Sequence, residues 1–139
     1  MKRVELLRKR ALRFLEDAKR ALQDGFYDIA GFYAEQAIQL YSKALLLELA
    51  GYVPTTHDIR DVLGLISKAL PENLKQSVRA FSRKYRRELA ELVDIYTNAR
   101  YGPRILTREE ALIALEVAEK LLGLLNTVRE KVREVERHQ

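Results

Sequence analysis

The chain has 139 residues, no cysteine, and 25 Lys and Arg against 20 Asp and Glu, a formal net charge of +5. That length suits one domain, residues 1–139, with a core of its own. The lack of cysteine excludes a disulfide framework and a thiolate metal site, and no apolar run approaches the length that spans a bilayer. Met1-Lys2-Arg3-Val4-Glu5 is charged and has no apolar secretory segment, so the expected location is the cytoplasm, away from membranes. A modest positive excess is only weak evidence for a polyanionic partner; its distribution matters more.

The chain reads as helices throughout. Val4, Leu7, Ala11, Leu15, Ala18 and Leu22 keep a three/four spacing, which predicts a first helix from about Arg3 to Gln23. Asp24-Gly25 ends it, with glycine free to turn left-handed. The second helix is expected from Phe26 to Ala50, with Gly51 as C-cap. Pro54-Thr55-Thr56 breaks the chain, and Thr56 is placed as N-cap of a short third helix striped by Ile59, Val62, Leu63 and Ile66. Pro71 suits the first turn of a fourth helix reaching to about Ala99. Gly102-Pro103 is a turn. Thr107-Arg108-Glu109-Glu110 forms a capping box at the start of a last helix that runs near the C-terminus. The fold class is therefore all-α: an up-and-down antiparallel bundle of four long helices and one short one. A repeat array would need a second copy of the Tyr33, Ala37, Ala44 pattern, and there is none.

The second helix is unusual. Ala30, Ala34, Ala37 and Ala44 allow close approach, while Phe32, Tyr33, Leu40, Tyr41 and Leu47 supply bulk. After Glu35 only Lys43 interrupts an uncharged run. Such a helix must be covered on more than one side, by the bundle or by another subunit. The last helix has a similar excess in Leu112, Ile113, Leu115, Val117, Leu121, Leu122, Leu124 and Leu125. A monomer would leave that surface wet, so a homodimer through one or both helices is expected.

Charge has a clear geometry on the fourth helix. Lys75, Arg79, Arg83 and Arg86 fall in one quadrant, with Arg87 beside it. The stripe could follow phosphates, or be a solvated face paired with neighbouring acids. Arg100 and Tyr101 sit where a long helix meets a Gly-Pro turn. A guanidinium there can grip a phosphate with two hydrogen bonds, or cap the helix carbonyls. His57 could act at the mouth of the bundle, or bond to a neighbouring loop.

Metal and nucleophile chemistry has little to work with. Two histidines without cysteine make no familiar zinc site. Ser42, Ser67, Ser77 and Ser82 have no glycine elbow or adjacent histidine. No glycine loop cradles a phosphate. Asp58 and Asp61 are explained by capping and the helix dipole. No cofactor and no metal is expected.

Ordered segments also resemble a known family. Ala34-Glu35-Gln36-Ala37-Ile38-Gln39-Leu40-Tyr41-Ser42-Lys43-Ala44-Leu45-Leu46 resembles the second helix of HEPN domains, small helical domains of higher eukaryotes and prokaryotes with suspected nucleotide binding. Gly51 with Thr56-His57-Asp58-Ile59, then Tyr96-Thr97-Asn98-Ala99-Arg100-Tyr101-Gly102-Pro103, then Leu106-Thr107-Arg108-Glu109-Glu110-Ala111 follow in the family's order. The resemblance, to a stand-alone archaeal or bacterial member, covers nearly the whole chain. It implies a nucleotide or RNA ligand, and pairing with a minimal nucleotidyltransferase in a toxin–antitoxin-like module.

Nuclease members of that group carry an Arg, four to six residues, then a His. After Arg100 the corresponding positions hold Ile105, Leu106 and Thr107, none of which can exchange a proton as imidazole does. Arg133 and His138 match formally, but lie at the C-terminal end and about 140° apart on a helix. Gln39 stands where the family commonly has glutamate. The expected function is a non-catalytic, homodimeric nucleotide/RNA- or partner-binding module, with no catalytic residue assigned. The alternatives are a metal-independent endoribonuclease using Arg100 or the Arg133/His138 pair, and an architectural helical adaptor.

Overall fold

The computed structural model describes residues 2–98, 102 and 104–138. They form six helices: α1 Lys2–Gln23, α2 Tyr27–Ala50, α3 Ile59–Lys68, α4 Glu72–Lys84, α5 Arg86–Asn98 and α6 Arg108–Arg137. No strand occurs among the described residues. The all-helical expectation holds, but the count of four long helices plus one short does not. The expected fourth helix is two, joined at Tyr85, whose φ of −106° and ψ of 25° leave helical geometry.

The joint is a bend within a continuing hydrogen-bond ladder. Tyr85 N donates to Phe81 O at 2.9 Å, and Leu89 N donates to Tyr85 O at 2.8 Å. Its effect is to change partners: α4 packs on α3, whereas α5 reaches α2. Leu74, Val78 and Phe81 are buried before the bend and Leu89, Leu92 and Ile95 after it. These positions keep one helical phase throughout, so the hydrophobic pattern carries no trace of the bend.

The ends follow their local chemistry. Gly25 and Gly51 both take positive φ, 81° and 82°, and Gly51 N caps α2 by donating to Leu47 O at 2.9 Å. Thr107 and Glu110 exchange both bonds of the capping box, at 3.1 and 3.0 Å. The expected cap at Thr56 is corrected: Asp58 caps α3, its Oδ1 accepting from Arg60 N at 2.9 Å. Thr56 acts one step earlier, its Oγ1 accepting from Asp58 N at 3.1 Å and donating to Asp61 at 3.0 Å.

Helix α2 is the centre, packed by α1, α3, α5 and α6. Ala30, Ala34, Ala37 and Ala44 are fully buried, and Gly31 leaves the space that the Leu106 side chain fills. Helix α6 is also covered within the chain. Leu115, Val117, Leu121, Leu122 and Leu125 are buried against the other helices, as are Tyr41 and Leu45 of α2. Most of the apolar excess that motivated a dimer through these helices is covered inside one chain; Tyr33, Leu112 and Leu124 are partly buried and Ile113 is well exposed.

Candidate functional site

Three polar side chains one turn apart run along the buried α2. Glu35, Gln39 and Lys43 are 1%, 4% and 8% exposed. The stretch between α2 and α3 lays His57 over them. Gln39 Nε2 donates to Glu35 Oε2 at 2.9 Å and to the His57 carbonyl at 2.6 Å. Gln36 Nε2 donates to the other Glu35 oxygen at 2.9 Å. Lys43 Nζ lies 3.3 Å from His57 Nδ1, and the His57 ring stacks on Tyr96 of α5 with centroids 5.0 Å apart.

The electrostatics follow from burial. Desolvation lowers the Lys43 pKa, and the Glu35 carboxylate pulls it part of the way back. An ammonium can only donate, so a hydrogen bond from charged Lys43 requires the neutral His57 tautomer with Nδ1 free to accept. Gln39 Oε1 and Ser42 Oγ are buried with no hydrogen-bond partner among the described residues. The cluster therefore combines a cation, an imidazole and two buried oxygens that the described residues leave unpaired.

Arg100 and Tyr101, the expected pair at the end of α5, lie outside the described residues. The chain just after them is firmly held. Arg104 pairs with Asp94, with Glu91 at 2.6 Å and with Glu110 at 2.6 Å, and these bonds raise its already high pKa. Leu106 N donates to Asp28 Oδ1 at 2.5 Å.

The basic stripe is partly redistributed. Lys75 is half-buried and pairs with Glu72 at 3.6 Å. Arg79, Arg83 and Arg86 are exposed, as are Lys84 and Arg87. None of these five has an ion pair among the described residues. Arg83, Lys84, Arg86 and Arg87 line one shallow hollow at the bend together with Glu88, which makes no ion pair with them. Lys84 Nζ lies 5.4 Å from the Tyr85 ring centre, and Lys120 of α6 approaches the same ring at 5.5 Å. His57 is not among these cations: it packs on Tyr96, about 15 Å along α5 from Arg86.

Arg133 and His138 stay at the C-terminal end of α6, both exposed, with His138 capping the last turn. No group of three or more His, Cys, Asp or Glu among the described residues could hold a metal ion. No helix among them is long and apolar enough to cross a membrane. Glu35, Lys43 and Tyr96 were not picked out as site residues from the sequence. The available signal was the spacing of Glu35, Gln39 and Lys43 in a helix otherwise built of small and apolar residues.

Comparison with known proteins agrees with this architecture. A search of curated proteins finds no match. Among solved structures, TT1696 from Thermus thermophilus is similar at 28% identity, with a TM-score of 0.71 over 91% of this chain and 98% of that one. ST0689, described as an archaeal HEPN homologue, is similar at 26% identity, with a TM-score of 0.64 over 91% of this chain and 98% of that one. The family model of the HEPN domain matches residues 4–131, and the chain belongs to that family.

Proposed function

We propose that this protein is a non-catalytic RNA-binding HEPN module acting in the cytoplasm, a homodimer that works beside a minimal nucleotidyltransferase in a toxin–antitoxin-like pair. One observation carries the binding reading: Arg79, Arg83, Lys84, Arg86 and Arg87 are exposed around the Tyr85 bend without an acidic partner among the described residues. Free cations of this density release counterions from a nucleic-acid backbone, and arginine forks suit phosphate oxygens. The polar cluster on α2 supplies a second class of contact, with the Lys43 ammonium suited to a nucleotide phosphate. The nucleotidyltransferase partner rests on family membership alone.

The test is a titration of a fluorescein-labelled RNA hairpin and of free nucleotides at several salt concentrations. The expected result is RNA binding that weakens with salt and falls in an Arg83→Gln, Arg86→Gln, Arg87→Gln variant. Salt-independent binding, or none at low salt, overturns the reading. A catalytic alternative would rest on His57, which the fold sets beside a lysine of lowered pKa, rather than on His138. RNA cleavage in the presence of chelator that disappears in His57→Ala would support it; co-purification of a nucleotidyltransferase with the native protein tests the pairing.

A further inference from the structure

The outer face of α1 carries a second set of free cations. Its acids are already engaged. Glu5 pairs with Arg8 at 3.1 Å and with Arg129 at 3.2 Å. Glu16 pairs with Lys19 at 3.1 Å, and Asp17 with Arg20 at 3.7 Å. Lys2, Arg3, Lys9, Arg10 and Arg13 are all exposed, and none has an ion pair among the described residues. They form two rows. Lys2, Lys9 and Arg13 fall within about 40° of one another on the helix, and Arg3 and Arg10 within about 20°. The positive end of the helix dipole lies at the same end of α1 and adds to their field.

This face is separate from the bend at Tyr85. Helix α1 packs on α2 and α6, while α4 packs on α3 and α6. Helix α6 therefore runs between the two basic surfaces. Its adjacent residues mark the two borders: Glu119 approaches Lys19 of α1 at 4.0 Å, and Lys120 approaches Tyr85. Helix α6 carries both signs between the two positive surfaces, with Glu116, Glu119, Lys120, Glu130 and Lys131 exposed.

We infer that the Lys2–Arg13 face of α1 is a second contact surface for a nucleic-acid backbone. The cations extend about 17 Å along the helix axis. A stacked strand carries a phosphate about every 3.4 Å of axis, so the ridge matches about five phosphates. The composition favours nucleic acid over the other polyanionic partners. Three of the five are arginines, which bind phosphate oxygens with two hydrogen bonds. A protein interface would want a central aromatic or aliphatic anchor, and a bilayer a broad apolar face. Leu6 and Leu12, each about half exposed, supply neither.

The inference does not depend on the α4–α5 surface and is separable from it. The probe is the labelled RNA hairpin, titrated against the full chain at several salt concentrations. A Lys9→Gln, Arg10→Gln, Arg13→Gln variant leaves buried residues untouched, and its unchanged helical spectrum and melting temperature confirm the fold. The expected result is a slope of log affinity against log salt that is shallower by about 2–3, with affinity lower by on the order of 10–100-fold at low salt. Wild-type affinity and slope in this variant overturn the inference and leave the α4–α5 reading intact. Loss in this variant but not in the Arg83, Arg86, Arg87 variant upholds it and removes α4–α5 as the binding surface. Wild-type protein that sediments with phosphatidylserine vesicles while ignoring the hairpin assigns the face to membranes and overturns the inference.

Discussion

Burying Lys43 in a helix of small and apolar side chains removes hydration that Glu35, two turns away, only partly replaces. The folded pKa therefore lies below the ordinary 10.5. Between those two values the unfolded chain holds a proton that the folded chain has shed, so folding stability rises with pH across that window. Below the folded pKa the penalty is present in full; above the ordinary value it is gone. Lys43→Met removes the titration. The unfolding free energy of the wild type minus that of the variant is expected to increase from neutral pH to pH 10.5 in urea titrations. A flat or falling difference would show that Glu35 fully restores the charge. The three polar positions of α2 are legible in the sequence as Glu35, Gln39 and Lys43. Their cover is not, because the placement of His57 depends on the path of residues 52–58, which no local pattern encodes.

Helix ends and helix joints differ in how locally they are determined. The capping box at Thr107 needs only residues three apart, which is why it is readable and why both its bonds form. Thr107→Ala is expected to cost about 1 kcal/mol in chemical denaturation, with Thr107→Ser retaining most of it. The cap of α3 shifts from Thr56 to Asp58 because both residues can cap, and Asp58 also holds Arg60 at 2.6 Å, which lowers the Asp58 pKa. The bend at Tyr85 has no Gly or Pro to announce it and no change in hydrophobic phase; it accompanies the gain of α2 beside α3 as a packing partner, which only the tertiary structure shows. A buried ion pair is equally non-local. Arg129 of α6 meets Glu48 of α2 at 2.9 Å and Glu5 of α1 at 3.2 Å, tying three helices at one end. Arg129→Met leaves Glu48 without its partner while Glu5 keeps Arg8, and a loss of about 2–3 kcal/mol is expected because Glu48 remains partly hydrated. Adding Glu48→Leu to that variant should recover part of the loss; a further large drop would show that Arg129 acts through packing alone.

At the scale of the whole molecule the case for a homodimer moves from the helix faces to one end of the bundle. Leu115, Leu121, Leu122 and Leu125 of α6 and Tyr41 and Leu45 of α2, which looked surplus, are covered by neighbouring helices. Phe26, Ile29, Ile105 and Ile113 are not, and Ile105 is 79% exposed. Ile105 borders two hollows: one shared with Phe26 and Ile29, the other shared with Ile113, Arg104 and Glu110. The segment that presents it is fixed by the Arg104 ion pairs and the Asp28 bond to Leu106 N, so a partner would meet a surface already ordered for it. Large apolar side chains clustered on an ordered surface are what an interface core requires. A second copy offering the same end would bury both sets, the isologous arrangement commonest in soluble oligomers. Light scattering of the wild type at micromolar concentration is expected to give a dimer mass. Ile105→Asp with Ile113→Asp is expected to give a monomer with an intact helical spectrum, because both side chains are exposed in the single chain. A wild-type monomer refutes the dimer. A double variant that stays dimeric keeps the stoichiometry and rejects this end as the interface, and dissociation by the Arg83, Arg86, Arg87 variant instead would place the contact on the basic bend.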